Sequence, residues 1–119
     1  MHYENLPIFK SALDLCVYIE KIVKGFEKYH KYTIGVDLRN TSKDLLFAIN
    51  RANLSLQREQ KIEHLRDRCE DMKMLIRLAK ELKAFVGFKQ FEHTAKLCVD
   101  VCRQAQAWLG SHKKARVCR

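Results

Sequence analysis

Residues 62–79 read IEHLRDRCEDMKMLIRLA and carry the clearest structural signal in the chain. Their apolar residues recur at spacings of three and four, which is the repeat of an α-helix that buries one face. The residues on this seam are Ile62, Leu65, Cys69, Met72, Ile76 and Ala79. The stretch therefore predicts a long amphipathic helix, and its cations lie away from the seam.

The same spacing recurs on both sides of this stretch, so that we predict four helices over residues 6–26, 33–53, 56–86 and 88–109. The chain has 119 residues, 47% of them hydrophobic, with one proline and four glycines. It is long enough for one domain and has too few turn residues for an all-β fold. We predict an all-α, up-down-up-down four-helix bundle over residues 1–110 and a loose basic tail over 111–119.

The first predicted helix has a feature that bears on oligomer assembly, and the last has a feature that marks its C-terminal end. On the first helix the apolar residues cover an arc of about 200°, roughly twice what a helix with one buried face needs. This arc includes Leu13, Leu15, Val17 and Ile22 beside the main seam, with Glu20 inside it as an ion-paired carboxylate. We therefore expect one interface with the bundle and another with a second subunit. The last predicted helix has a seam from Phe88 to Leu109 and ends at Gly110.

The charge of the chain favours polyanionic partners. It has 23 Lys and Arg against 14 Asp and Glu, a formal net charge of +9. Arg66, Lys73, Arg77 and Lys80 fall within about 60° around the helix axis, and such like charges one turn apart repel unless phosphates occupy the row. The alternative is a solvated face with ion pairs inside the helix. The candidate nucleic-acid-binding residues are Arg66, Lys73, Arg77, Lys80, Lys89, Lys96, Arg103, Lys113, Lys114 and Arg116.

Three aromatic residues are candidates for contact with a partner. Tyr29 and Tyr32 lie in the connector after the first helix, and Trp108 lies off the main seam of the last helix. Such rings stack on unpaired bases, but they also anchor loops or cover the edge of a core. We take Trp108 and Tyr32 as the candidate partner-binding residues.

Nothing in the sequence indicates catalysis or a bound metal. There is no GxSxG motif, P-loop, HExxH pair or CxxC motif. Five cysteines stand at 16, 69, 98, 102 and 118, and Cys98 and Cys102 share a helical face as packing residues. We therefore expect no catalytic residues, no metal and no cofactor. No apolar run approaches the ~18 residues of a membrane span, and the N-terminus lacks the layout of a signal peptide, so we expect a cytoplasmic protein.

Several stretches resemble the Avd-like family, the accessory variability determinants of diversity-generating retroelements. Residues 26–39, FEKYHKYTIGVDLR, resemble the family's "FPK-ERYTLG-RI" at the start of its second helix. Residues 75–82, LIRLAKEL, resemble its "LLRLAKDL" segment, and residues 90–93 with 103–109 resemble its last helix. Gln106 and Ala107 stand where the family often has glycines. Residues 3–6, with 9 and 10, are similar to the start of a related family, the bundle proteins of ribosomal RNA intervening sequences.

The resemblance implies a basic, barrel-shaped homopentamer of four-helix bundles. Such a protein binds nucleic acid and the reverse transcriptase of its element, and it supports mutagenic copying of template RNA into cDNA. From the sequence we therefore expect a non-enzymatic accessory subunit whose partners are its own copies, a reverse transcriptase, and RNA or DNA. The alternatives are an adaptor for an acidic protein and a stand-alone bundle of the intervening-sequence type.

Overall fold

The computed structural model describes residues 5–117, which form four long helices and one short one. The elements are α1 (Pro7–Val23), α2 (Lys28–Lys31), α3 (Ile34–Leu54), α4 (Arg58–Glu81) and α5 (Phe88–Val117). α1 packs against α3 and α5, and α4 packs against the same two helices, so that α1 and α4 lie diagonally across the bundle. This is the predicted four-helix arrangement, with the single-turn helix α2 added in the connector.

The apolar seams predicted from the sequence meet in the centre of the bundle. All six seam residues of α4, from Ile62 to Ala79, are buried, as are Leu38, Leu45 and Ile49 on α3. Gly35 lets α3 approach the end of α1, because a Cβ atom there would lie 2.9 Å from Val23 Cγ1 and from the His30 carbonyl oxygen. Within residues 5–117, no helix is long and apolar enough to cross a membrane.

The free part of the apolar arc on α1 is smaller than predicted, and its contact with a second subunit stays a prediction. Leu15 and Ile22 are buried in the core of the chain itself, so that most of the predicted arc serves a single bundle. Only Leu13 and Val17 from that arc stay exposed. The free surface is smaller than the arc predicts because α1 is covered from two sides, by α3 and by α5.

The turn between α4 and α5 begins earlier than predicted. α4 ends at Glu81 rather than near residue 86, because Lys83 adopts the left-handed conformation (φ 60°) and stops the helix. The amides of Lys83 and Ala84 donate to the carbonyls of Lys80 and Ala79, which is the hydrogen-bond pattern of a Schellman motif. Phe88, predicted on the buried seam, is exposed at the first position of α5.

The prediction of a loose tail after Gly110 is wrong for the residues described. α5 continues through Gly110 to Val117, and Cys118 and Arg119 lie outside the described residues. One glycine inside a helix costs only about 1 kcal/mol, and no proline follows it. An ion pair between Arg116 Nε and Glu59 Oε2, at 3.0 Å, also holds the last turn against α4.

Candidate nucleic-acid interface

Lys73, Arg77 and Lys80 lie along the edge of α4 that faces α5, and helical spacing places Arg66 on the same side. We call Arg66, Lys73, Arg77 and Lys80 the α4 row. The aliphatic parts of Lys73 and Arg77 help to line a shallow cavity of about 200 Å³ between the two helices. Phe91, Ala95 and Val99 of α5 form its other wall. The α4 row thus borders an apolar groove between two helices.

Three members of the α4 row have acidic partners within α4. Lys73 Nζ donates to Glu70 Oε1 at 3.0 Å, and Arg77 Nε donates to Glu81 Oε1 at 3.1 Å. Arg66 Nη2 lies 3.4 Å from Asp67 Oδ1. The hydrogen bond to Glu70 also raises the pKa of Lys73. Neighbouring carboxylates therefore offset these charges, so that the row is stable without phosphates to relieve repulsion between its cations.

These ion pairs are weak enough to be exchanged. Both partners of the Arg77–Glu81 pair are exposed, and exposed pairs of this kind contribute about 0.2–1 kcal/mol. A phosphate group can therefore take the place of the carboxylate at small cost. Lys80, the fourth member of the row, has a different neighbour: its Nζ atom lies 5.0 Å from the centre of the Phe91 ring.

Three cations of α5 have no ion pair within the described part of the chain, although Glu92 and Asp100 alternate with them along the helix; we call Lys89, Lys96 and Arg103 the α5 row. They repeat every seven residues, so that they fall within about 40° around the helix axis. All three are exposed, and none has an ion pair with another residue in 5–117. The α5 row is therefore open to phosphate without the loss of an existing contact.

The remaining predicted cations lie at the end of α5. Lys113 and Lys114 are exposed on its last turns, whereas Arg116 is engaged by Glu59. Because these residues are helical, they continue the surface of α5 and do not form a separate flexible arm. The structure thus brings the α5 row and the terminal lysines onto one helix.

The two candidate partner-binding aromatics have different environments. Tyr32 is exposed at the end of α2, where Lys31 Nζ lies 5.8 Å from the centre of its ring. Trp108 is half-buried and packs against the small core cluster of Ala52, Ile62 and Leu109. Trp108 therefore covers the edge of the core, and its contact with a partner stays a prediction.

Sequence reasoning missed an exposed apolar stripe on the outer side of α4. Met74, Leu78 and Leu82 are 71%, 48% and 46% exposed and stand four residues apart. Met74 and Leu78 also line a groove between α3 and α4 with a volume of about 580 Å³. The four-residue spacing of these side chains indicates a second apolar face, but the longer seam from Ile62 to Ala79 dominates the apolar pattern of the helix. We call these three residues the α4 outer stripe.

Three cysteines meet in the core between α4 and α5. Cys98 and Cys102 have their Sγ atoms 4.0 Å apart, and Cys69 is buried with them. Hydrogen bonding to Cys102, followed by burial, raises the pKa of Cys69 and Cys98, while these contacts lower the pKa of Cys102. Among residues 5–117 there is no group of three or more His, Cys, Asp or Glu residues that could hold a metal ion. The geometry is that of thiols packed in a core.

The fold and the surface together define a basic four-helix bundle with charged rows on two adjacent helices. Residues 8–112 match the profile of the family described as bAvd-like, and the chain belongs to that family. The family consists of accessory proteins and is not known for enzymes. No curated protein and no solved structure matches the chain.

Proposed function

We propose that this chain is a non-enzymatic accessory subunit of the reverse transcriptase of a diversity-generating retroelement. In this role it binds nucleic acid and supports mutagenic cDNA synthesis from template RNA. Family membership supports the general class. The observation that carries the nucleic-acid part is the α5 row, three aligned cations without acidic partners in residues 5–117 of a chain with net charge +9.

Binding would be electrostatic and largely independent of sequence. Lysine and arginine side chains contact phosphates and fix the position of the strand, while base identity is read elsewhere. The α5 row makes the first contacts, because its charges are free. The α4 row, across the groove from it, joins as Lys73 and Arg77 exchange Glu70 and Glu81 for phosphate.

We further propose that the chain acts as a homopentamer, as the family resemblance implies. The α4 outer stripe offers an apolar surface for contact between copies, and it adds to Leu13 and Val17 of α1. An assembly of five chains repeats the basic rows around its outside. This multiplies the number of phosphates that one RNA strand contacts and raises the apparent affinity without any new type of contact.

A second function follows if the chain binds its partner through its exposed apolar residues and not through its cations. In that case the chain is a protein-protein adaptor of the ribosomal intervening-sequence type, with no direct role in binding nucleic acid. The exposed α4 outer stripe favours this alternative. RNA binding by the purified protein separates the two, because only the first requires it.

The experiment that tests the proposed function begins with the neighbouring genes. We expect a reverse-transcriptase gene and a pair of near-identical repeats beside the gene for this chain. Co-expression with that reverse transcriptase should give a complex, and cDNA synthesis from the repeat RNA should need the chain. A neighbourhood without a reverse transcriptase, or cDNA synthesis that proceeds equally without the chain, contradicts the proposal.

A further inference from the structure

Four phenylalanine rings form a continuous ladder from the core to the turn between α4 and α5. Phe26 is buried and meets Phe85 edge to face, with ring centres 5.8 Å apart. Phe85 lies 5.8 Å from Phe91, and Phe91 lies 5.7 Å from Phe88. The last ring, Phe88, is 62% exposed. The ladder thus holds an exposed aromatic ring on a support that is anchored in the core.

Cations surround the exposed end of this ladder. Lys80 and Lys83, with Phe85, Phe88 and Phe91, line a shallow cavity of about 160 Å³. Lys89 follows Phe88 directly in the first turn of α5, and that turn contains no acidic residue. Glu81, the nearest acid in sequence before the turn, is paired with Arg77. Glu92, one helical turn beyond Phe88, is exposed, so that an anion at Phe88 meets three lysines and one carboxylate.

Lys83 is placed in this surface at a cost to the backbone. Its φ of 60° lies in the left-handed region, at the position after a helix where glycine is the usual residue. The amide of Ala84 donates to the Ala79 carbonyl across this residue, so that the conformation is fixed by the turn. The turn therefore holds the backbone of Lys83 in a fixed position, next to the exposed ring of Phe88 and to Lys80.

We propose that this turn binds single-stranded nucleic acid, with one unpaired base stacked on Phe88 and its phosphates in contact with Lys80, Lys83 and Lys89. This inference rests on the proposed nucleic-acid binding and specifies which form of nucleic acid the turn takes. Proteins that bind single strands combine aromatic rings for the bases with cations for the backbone. A duplex keeps the faces of its bases covered, so that Phe88 has nothing to stack on.

A protein partner fits the same surface less well. The exposed apolar side chains of the turn are Val86 and Phe88, with lysines beside them, whereas a stable protein interface needs a broad and well-packed contact area. The α4 outer stripe is the better surface for a protein, and it lies on another side of α4. The turn is small, aromatic and cationic, which matches one nucleotide with its neighbouring phosphates.

The test compares a short oligouridylate with an RNA duplex of the same length, by fluorescence anisotropy at one salt concentration. Phe88→Leu removes the aromatic face and keeps an apolar side chain, and Phe88→Tyr is the matched variant that restores the ring. We expect Phe88→Leu to weaken binding of the single strand by about 5- to 150-fold, the range expected for one lost stacked base. Binding of the duplex should change less than about twofold, and Phe88→Tyr should bind like the wild type.

A second variant tests the cationic part without loss of the fold. Lys83→Gly removes a charge and relieves the left-handed strain, so that it should raise the unfolding midpoint while it weakens binding of both RNA forms. Lys83→Ala removes the same charge and keeps the strain, and should weaken binding without the gain in stability. Equal affinity of wild type and Lys83→Gly for the single strand contradicts the placement of a phosphate at this residue.

The outcomes separate this inference from the proposed function. If the wild type binds neither RNA, both fail. If it binds both RNAs and Phe88→Leu binds the single strand as tightly as the wild type, the stacking inference fails and the proposed function stands. Equal losses on single strand and duplex also overturn the inference. Polyglutamate serves as the probe for an acidic protein, and its binding should not depend on Phe88; a dependence equal to that of the single strand overturns the inference.

Discussion

Lys80 places its Nζ atom 5.0 Å from the centre of the Phe91 ring. This contact joins the two parts of the candidate interface, because Lys80 belongs to the α4 row and Phe91 belongs to the aromatic ladder at the turn. The charged groove between α4 and α5 and the exposed ring of Phe88 are therefore one continuous surface. In the proposed binding mode, a strand that follows the groove passes Lys73 and Arg77 and reaches the turn at Lys80.

The two basic rows should contribute unequally to RNA affinity. We expect Lys89→Gln/Lys96→Gln/Arg103→Gln to weaken RNA binding by roughly 100-fold at about 0.1 M salt and to make the salt slope shallower by about two. Lys73→Gln/Arg77→Gln/Lys80→Gln should cost about tenfold, because two of these cations must first leave an acidic partner. Filter binding over a range of salt concentrations measures both quantities.

A matched control for this comparison lies on the other helices. Lys21→Gln/Lys24→Gln/Arg51→Gln removes the same number of charges from α1, the residue after it and α3, and should change the affinity by less than about threefold. If this control weakens binding as much as the α5 triple variant, net charge alone governs binding. The α5 row is then not the site.

The fold was predictable because each long helix carries a regular apolar seam. Ile62, Leu65 and Cys69 have the spacing of a buried face, and the structure buries all three. The helix ends were less predictable, since Lys83 ends α4 in a conformation that favours glycine and Gly110 does not end α5. The end of α4 is a local turn formed without the usual glycine, and the end of α5 is held by the ion pair between Arg116 and Glu59, which the local sequence does not report.

The three core thiols should act as packing residues. Cys98→Ala/Cys102→Ala should lower the free energy of unfolding by about 2 kcal/mol, since each change leaves a small cavity in a close-packed core. RNA affinity should stay the same, because neither sulfur reaches the surface. Urea denaturation and the RNA-binding assay measure the two effects. Stoichiometric zinc in the purified protein that disappears in the double variant contradicts this account.

The chain should form oligomers through its exposed apolar residues. Native mass spectrometry at micromolar concentration should show a species of five times the 14.0 kDa chain mass. Leu78→Lys, in the middle of the α4 outer stripe, should shift the population toward monomer by placing a charge in the contact. Val17→Lys makes the same change on α1 and should have the smaller effect. A wild type that is only monomeric rules out the assembly.

An ion pair between α1 and α3 should make stability depend on pH. Arg39 Nε donates to both oxygens of Glu20, at 2.9 and 3.0 Å, and this hydrogen bond lowers the pKa of Glu20 from its ordinary value of 4.5. A lowered pKa means that the stabilisation is complete above pH 4.5 and is lost as the pH falls through the folded value. The carboxylate is partly exposed, so that the contribution is at most about 0.5 kcal/mol.

Glu20→Gln is the variant that tests this dependence. At pH 7 the free energy of unfolding of this variant should be lower than that of the wild type by at most about 0.5 kcal/mol. The difference should disappear as the pH falls below the pKa of Glu20 in the folded protein. Urea denaturation at a series of pH values gives the comparison. A difference that is the same at neutral and acid pH shows that the ion pair does not contribute.

The candidate site was only partly predictable from the sequence. The heptad spacing of Lys89, Lys96 and Arg103 indicated one exposed row, and the structure leaves these three without acidic partners in residues 5–117. The exposure of Phe88 was missed, because its spacing places it on the seam of α5 while the preceding turn keeps it outside the core. Spacing reports which residues share a face, but the packing of neighbouring helices determines which part of that face is covered.

The most direct test of the account is the affinity of the purified, folded chain for RNA as a function of salt concentration. We predict tight binding at low salt and a log-log slope of about −2 or steeper, since at least the three cations of the α5 row each contact a phosphate. The protein should remain helical throughout the titration. Absence of binding at low salt, or an affinity that does not change with salt, contradicts the claim that this bundle binds nucleic acid through its basic surface.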